Sequence, residues 1–126
     1  MVNRKTYDFT NMEQINRIEL RGYVGFVHQN TFGESRMVRF SLGTSYFYKG
    51  ADGTPVIETT WHNVSVWDGK FGVDISKIKK GAVVEVVGRM KDTKYTTADG
   101  ADKHFFEVVP SSIRILEEKV PPQSGI

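Results

Sequence analysis

The 126 residues are 39% hydrophobic and 12% aromatic, enough for one domain closed around a single core. There is no cysteine, which excludes disulfide staples, thiolate metal sites and thiol catalysis, and the formal net charge is only +2, so any case for a nucleic-acid partner rests on where the cations sit. No run of about 18 apolar residues occurs, and the first 16 residues lack the apolar centre of a signal peptide, so a soluble intracellular protein is expected.

Residues 1–15 mix charge with Tyr7 and Phe9 and read as a flexible N-terminal extension. Period two then takes over. Ile18, Leu20, Gly22 and Val24 alternate with Arg17, Glu19, Arg21 and Tyr23 in a half-buried first strand. Val38, Phe40 and Leu42 alternate with Arg39, Ser41 and Gly43 in a second, whose end, Tyr46-Phe47-Tyr48-Lys49, is expected at a loop mouth with at least one ring exposed. A third strand is expected from Val56 to Trp67. Between Asp74 and Lys80 the pattern breaks: Ile75 and Ile78 stand three apart, Asp74 suits an N-cap and Gly81 a stop, which predicts a short helix. A fourth strand from Ala82 to Tyr95 and a fifth from His104 to Leu116 follow. Gly33-Glu34, the stretch Ala51-Asp52-Gly53-Thr54-Pro55 and Ala98-Asp99-Gly100 supply the turns. Residues 118–126, with Pro121-Pro122, read as a disordered tail.

Three strands, a short helix and two more strands predict an all-β OB-fold, a five-stranded Greek-key barrel with the helix between strands 3 and 4, over residues 16–117. An SH3-like barrel would not normally place a helix there.

The third strand is the most informative stretch. In Thr60-Trp61-His62-Asn63-Val64-Ser65-Val66-Trp67 the even positions, His62, Val64 and Val66, are core-like, while Trp61, Asn63, Ser65 and Trp67 share the other face. Two indoles separated by small polar residues suit stacking platforms, although alternation alone leaves a packed core open for either ring. Unpaired bases offer apolar faces whatever their sequence, so a sequence-tolerant binder of single strands needs such rings, with cations close by for the phosphates. On the fourth strand Arg89, Lys91, Thr93 and Tyr95 share parity, again an aromatic beside cations. His28, His62 and His104 have no ligand spacing, and no nucleophile motif, phosphate-cradling glycine loop or paired carboxylates are present, so neither a metal site nor an enzyme is expected.

Four segments, residues 16–25, 40–45, 58–64 and 80–89, the third containing Thr60-Trp61-His62-Asn63-Val64, resemble in order and spacing the bacterial single-stranded DNA-binding protein family. The resemblance implies an OB-fold module that binds single-stranded DNA in replication, recombination or repair. It also implies a homotetramer, with a dimer as the alternative, and a cytoplasmic, nucleoid-associated location. The family's four stacking positions fall on Tyr48, Trp61, Trp67 and Tyr95. Among the basic residues near these rings, Arg39, Lys49, Lys91 and Lys94 are the candidate phosphate contacts, with Lys103 and Arg17 behind them. His62 falls where the family has a subunit-interface histidine. The chain ends Gln123-Ser124-Gly125-Ile126 without the family's acidic tip, so recruitment of repair and replication enzymes by that route is not expected. The competing readings are an OB-fold RNA-binding module and a replication accessory that serves mainly protein contacts.

Overall fold

A computed structural model describes residues 12–70 and 72–117. The sequence-expected tail, 118–126, and the extension up to residue 11 lie outside the described residues. Five strands carry the structure: β1 (Ile18–Phe32), β2 (Ser35–Lys49), β3 (Pro55–Trp67), β4 (Val83–Thr96) and β5 (Asp102–Glu117). They close into a barrel in the order β1-β2-β3-β5-β4, antiparallel except for the parallel contact of β3 with β5 at Val64 and Val108. This is the OB-type barrel expected from the order of elements.

The core follows from alternation. Val38, Phe40 and Leu42 on β2, Val64 and Val66 on β3, and Val84 and Val86 on β4 are all 0–1% exposed. β-branched valine suits a strand position whose side chain is held between neighbours on a pleated surface. Phe40 supplies the largest fully buried side chain. β1 bulges between Val24 and Val27, and β4 and β5 slip register at Val87/Gly88, which bends the long strands enough to close the barrel.

The strands are longer than the barrel. The β2–β3 pairing runs on to Lys49 and Pro55, and the β4–β5 pairing to Thr96 and Asp102, so two hairpin arms project beyond the core. Tyr46-Phe47-Tyr48-Lys49 ends β2 beside the turn at residues 50–54, as expected, and Tyr46, Phe47 and Tyr48 are all exposed.

The expected short helix is present as a 3-10 turn rather than an α-helix. Among the described residues a single 3-10 turn, Ile75–Lys77, stands between β3 and β4. Asp74 does cap it, accepting from the Ser76 N–H at 3.0 Å. The chain then has to reach β1, where Gly81 N–H donates to Val24 O at 2.8 Å and Val24 N–H to Ala82 O at 2.9 Å. A further turn is closed by the Ala82 N–H donating to Lys79 O at 2.9 Å. The spacing of Ile75 and Ile78 is also the 3-10 period, which lines both up to be buried at 1% exposure in the core. The i, i+3 signal was real, and its period is that of the 3-10 turn.

Because Phe40 is fully buried among β-branched neighbours, Phe40→Ala is expected to destabilise the barrel by about 3–5 kcal/mol. Urea unfolding with an unchanged m-value is the check.

Candidate nucleic-acid interface

β3 builds the site. Val64 and Val66 enter the core, which forces Trp61, Asn63, Ser65 and Trp67 outward by alternation. Trp61 is 50% and Trp67 43% exposed, a large apolar area for a strand otherwise anchored in the core. In register on β2 stand Gly43 beside Trp61, Ser41 beside Asn63, Arg39 beside Ser65 and Met37 beside Trp67. Arg39 thus lies between the two indoles along the strand direction, with Nε donating to Ser65 Oγ at 3.4 Å.

Trp61 is held from below and from the side. A Cβ on Gly43 would come within 2.8 Å, and one on Gly25 within 2.6 Å, of the ring's Cζ3, so the indole occupies space that only glycine leaves free. Tyr23 on β1 meets the same ring edge-on at 5.4 Å between centroids. At the other end of the face, Phe32 from the tip of the β1–β2 hairpin packs against Trp67 at 5.6 Å. Arg39 also reaches across to β5, lying 5.5 Å from the Phe105 ring centroid, and Phe105 meets Tyr95 edge-on at 5.9 Å. Phe105 thus lies between Tyr95 and Arg39, which itself stands in register between Trp61 and Trp67.

Tyr48 is placed elsewhere. It pairs in register with Val56, on the face of the β2–β3 arm continuous with Leu42 and His62, whereas Trp61 pairs with Gly43 on the opposite face. Its ring neighbours Tyr46 at 5.9 Å, and its hydroxyl donates to Glu58 at 3.2 Å.

Tyr23, Phe32 and Phe105 are the aromatic members of this surface that sequence reasoning did not single out. Tyr23 was legible from the exposed parity of β1. Phe32 and Phe105 needed the hairpin register, which places partners from distant strands beside known rings.

The structure sorts the cations. Arg21 and Arg114 both grip Glu85, at 2.7 and 2.8 Å, and this pair of hydrogen bonds, Arg21's first, holds the Glu85 carboxyl below its ordinary range. Arg36 is tied to Asp68 at 2.8 Å and Arg17 to Glu19 at 3.1 Å. By contrast Lys49, Lys91, Lys94 and Lys103 are exposed and have no ion-pair partner among the described residues. Lys91 shares the Tyr95 face of the β4–β5 arm, opposite Glu107, while Lys94 lies on the other face, opposite His104. Lys49 ends β2 on the Trp61 face of its arm.

His62 is half-buried on the core-facing side of β3, with Nε2 3.0 Å from Thr44 Oγ1. Burial depresses its pKa below 6.5. Among the described residues no cluster of three or more His, Cys, Asp or Glu is placed to hold a metal ion.

Residues 15–116 match the family model described as the single-strand binding protein family. The "Single-stranded DNA-binding protein" of Xanthomonas axonopodis pv. citri is 32% identical over 105 residues, covering 81% of this chain and 58% of that protein. That of Neisseria meningitidis serogroup A is 28% identical over 105 residues, covering 81% and 60%. The chain thus spans somewhat under two thirds of these bacterial relatives. Among solved structures, "Plasmodium falciparum SSB complex with ssDNA" superposes with a TM-score of 0.69 at 28% identity, over 85% of this chain and 99% of that one.

Because His62 loses its charged form more readily in the folded state, the unfolded chain binds the extra proton first as pH falls. Its contribution is present above pH 6.5 and is lost as pH drops below that value. Thermal unfolding followed from pH 7.5 to 5 is expected to show a falling Tm that is flatter in His62→Gln. The lowered carboxylates, Asp52, Asp74, Glu85 and Asp99, begin from 3.8 or 4.5 and titrate below that window.

Proposed function

The chain belongs to the single-strand binding protein family, and on that premise we propose that it binds single-stranded DNA without catalysing a reaction. The observation that carries this reading is the pair of half-exposed indoles, Trp61 and Trp67, on one face of β3, with the Arg39 guanidinium in register between them. Bases in a duplex are stacked on one another and shield their faces, so exposed rings on a sheet suit unpaired bases.

In this reading Trp61 and Trp67 stack bases and Arg39 meets the phosphate between them. Tyr95 extends the path along the β4–β5 arm, with Lys91 beside it and Lys103 opposite in register. Tyr48, with Lys49 next to it, receives the strand where it crosses to the other face of the β2–β3 arm. Lys94 then serves the outer side of the β4–β5 arm. The barrel and its arms, residues 16–117, form the binding domain. Arg17, Arg21, Arg36 and Arg114 are left out, because each already has a carboxylate partner. Assembly as a homotetramer with His62 near a subunit contact, a role in replication, recombination or repair, and a cytoplasmic location at the nucleoid complete the proposal. The family match supports them.

Titration with an oligo-dT is expected to quench tryptophan fluorescence, and raising salt to weaken binding. Trp61→Ala and Trp67→Ala should each weaken binding by roughly 1–3 kcal/mol without unfolding the barrel. Emission unchanged at saturating single-stranded DNA sinks the stacking mechanism. Better competition by duplex DNA or RNA than by single-stranded DNA sinks the choice of ligand.

A further inference from the structure

β4 passes from the barrel into its arm through a joint where the β4–β5 ladder is broken. The register slips between Val87 and Gly88, so that Val87 faces Ser112, Gly88 faces Pro110, and Ser111 is left over as the bulged residue. The Ser111 hydroxyl donates to Val87 O at 3.2 Å, and Pro110 brings no N–H to the pair. A Cβ on Gly88 would lie 2.2 Å from Val109 O, so the two backbones approach there as only glycine permits. Two residues further on, Met90 opposite Val108 is the last rung over the core, because Val108 is buried and Met90 packs against it from the side. From Lys91 to Thr96 the strand belongs to the projecting arm, Tyr95 included.

β5 is braced at this level from its own side, by the pairing of Val108 with Val64 on β3 and by Arg39 lying over Phe105. β4 needs a brace on its other side. Among the described residues the β1–β4 ladder ends at Ile18 opposite Gly88, where the bulge sits. Asn16 continues it with its side chain. Nδ2 donates to Met90 O at 2.8 Å, and Met90 N–H donates to Oδ1 at 3.0 Å. A carboxamide offers a donor beside an acceptor, as the backbone of a neighbouring strand does, so one side chain supplies the next rung of the β1–β4 register. It ties the first described strand to the far side of the joint across 74 residues of sequence. The joint is otherwise loosely filled, with a cleft of about 270 Å3 between Asn16, Arg17, Gly88, Arg89 and Pro110.

We propose that Asn16 is a positioning residue for single-stranded DNA binding. Its two bonds to Met90 fix the angle at which the β4–β5 arm leaves the barrel, and so hold Tyr95 and Lys91 in one place relative to the β3 indoles. A two-stranded ribbon has no core of its own, so its direction is set at its base. Asn16 acts through that base and not by contact with DNA. Rings placed before binding lose less freedom on binding than rings that must be found, so opening the clamp is felt at Tyr95 on the arm and not at Trp61 on the barrel. The inference rests on the reading of the chain as a single-stranded DNA binder, and it concerns a residue outside the stacking and phosphate set.

The test is a double-mutant cycle read by oligo-dT titration, with Asn16→Ala and Asn16→Asp as clamp variants, each first shown to be folded by circular dichroism. Asp keeps an acceptor for the Met90 N–H but sets an oxygen against Met90 O, so both variants open the clamp. With Asn16 present, Tyr95→Ala is expected to weaken binding about fivefold or more. In either Asn16 variant the same change should cost less than about twofold, while Trp61→Ala costs the same factor as before. A second readout needs no DNA. The chain has no cysteine, so Ala98→Cys at the turn of the arm and Lys79→Cys on the barrel admit a pair of spin labels, read in labelled chains diluted with unlabelled ones. The distance distribution is expected to be narrow with Asn16 and broader in both clamp variants. The proposal is overturned if the distribution keeps its width, if Tyr95→Ala costs the same factor with and without Asn16, or if Trp61→Ala loses its cost as well. Failure of the wild type to bind oligo-dT overturns the parent reading and the binding role of Asn16 with it, and the label distances separate that failure from a failure of the clamp.

Discussion

The indole of Trp61 lies where the Cβ atoms of Gly25 and Gly43 would otherwise be, with Tyr23 closing its edge. The rest of the interface depends on that seating. A tryptophan on an open strand face would ordinarily sample several rotamers and lie down over whatever apolar surface it could find. Here two neighbouring strands withhold their side chains under the ring, so it is supported on one side and still half-exposed. A ring fixed in advance would lose less freedom in stacking on a base, which supports the proposed role of Trp61.

The same strand secures this arrangement energetically. β3 cannot twist Trp61 and Trp67 inward without turning Val64 and Val66 out of the core, because a one-residue slip moves every side chain to the other face. Stability of the barrel and presentation of the rings are therefore one constraint read from its two sides. Tyr23 with Trp61 at one end and Phe32 with Trp67 at the other leave two exposed aromatic pairs on this surface, with Asn63, Ser65 and Arg39 between them.

Electrostatics adds direction without a large net charge. With a formal excess of only +2, the protein gains a cationic path by pairing some arginines and leaving lysines open. Glu85 occupies Arg21 and Arg114 on the β1–β4–β5 surface, and Asp68 occupies Arg36. Arg39 has no carboxylate partner among the described residues and is positioned by Ser65 and the Phe105 ring instead. Net charge therefore says little about such a surface, and the pattern of pairing says more.

Alternation in the sequence determined the five strands, the valine-rich core and the outward parity of Trp61 and Trp67, because period two is a local property of each strand. The turn residues, the cap at Asp74 and the family resemblance of residues 16–89 were legible for the same reason: each is carried by neighbours in the chain. What lay beyond reach was set by pairing between distant strands. The register of β2 with β3 put Tyr48 on the opposite face of the arm from Trp61. The short helix expected after β3 took the 3-10 form. Phe105 came to Arg39 only because the barrel closes. Which way a residue points is decided by the chain on either side of it, whereas what it meets is decided by strands tens of residues away, and that is where tertiary structure had the last word.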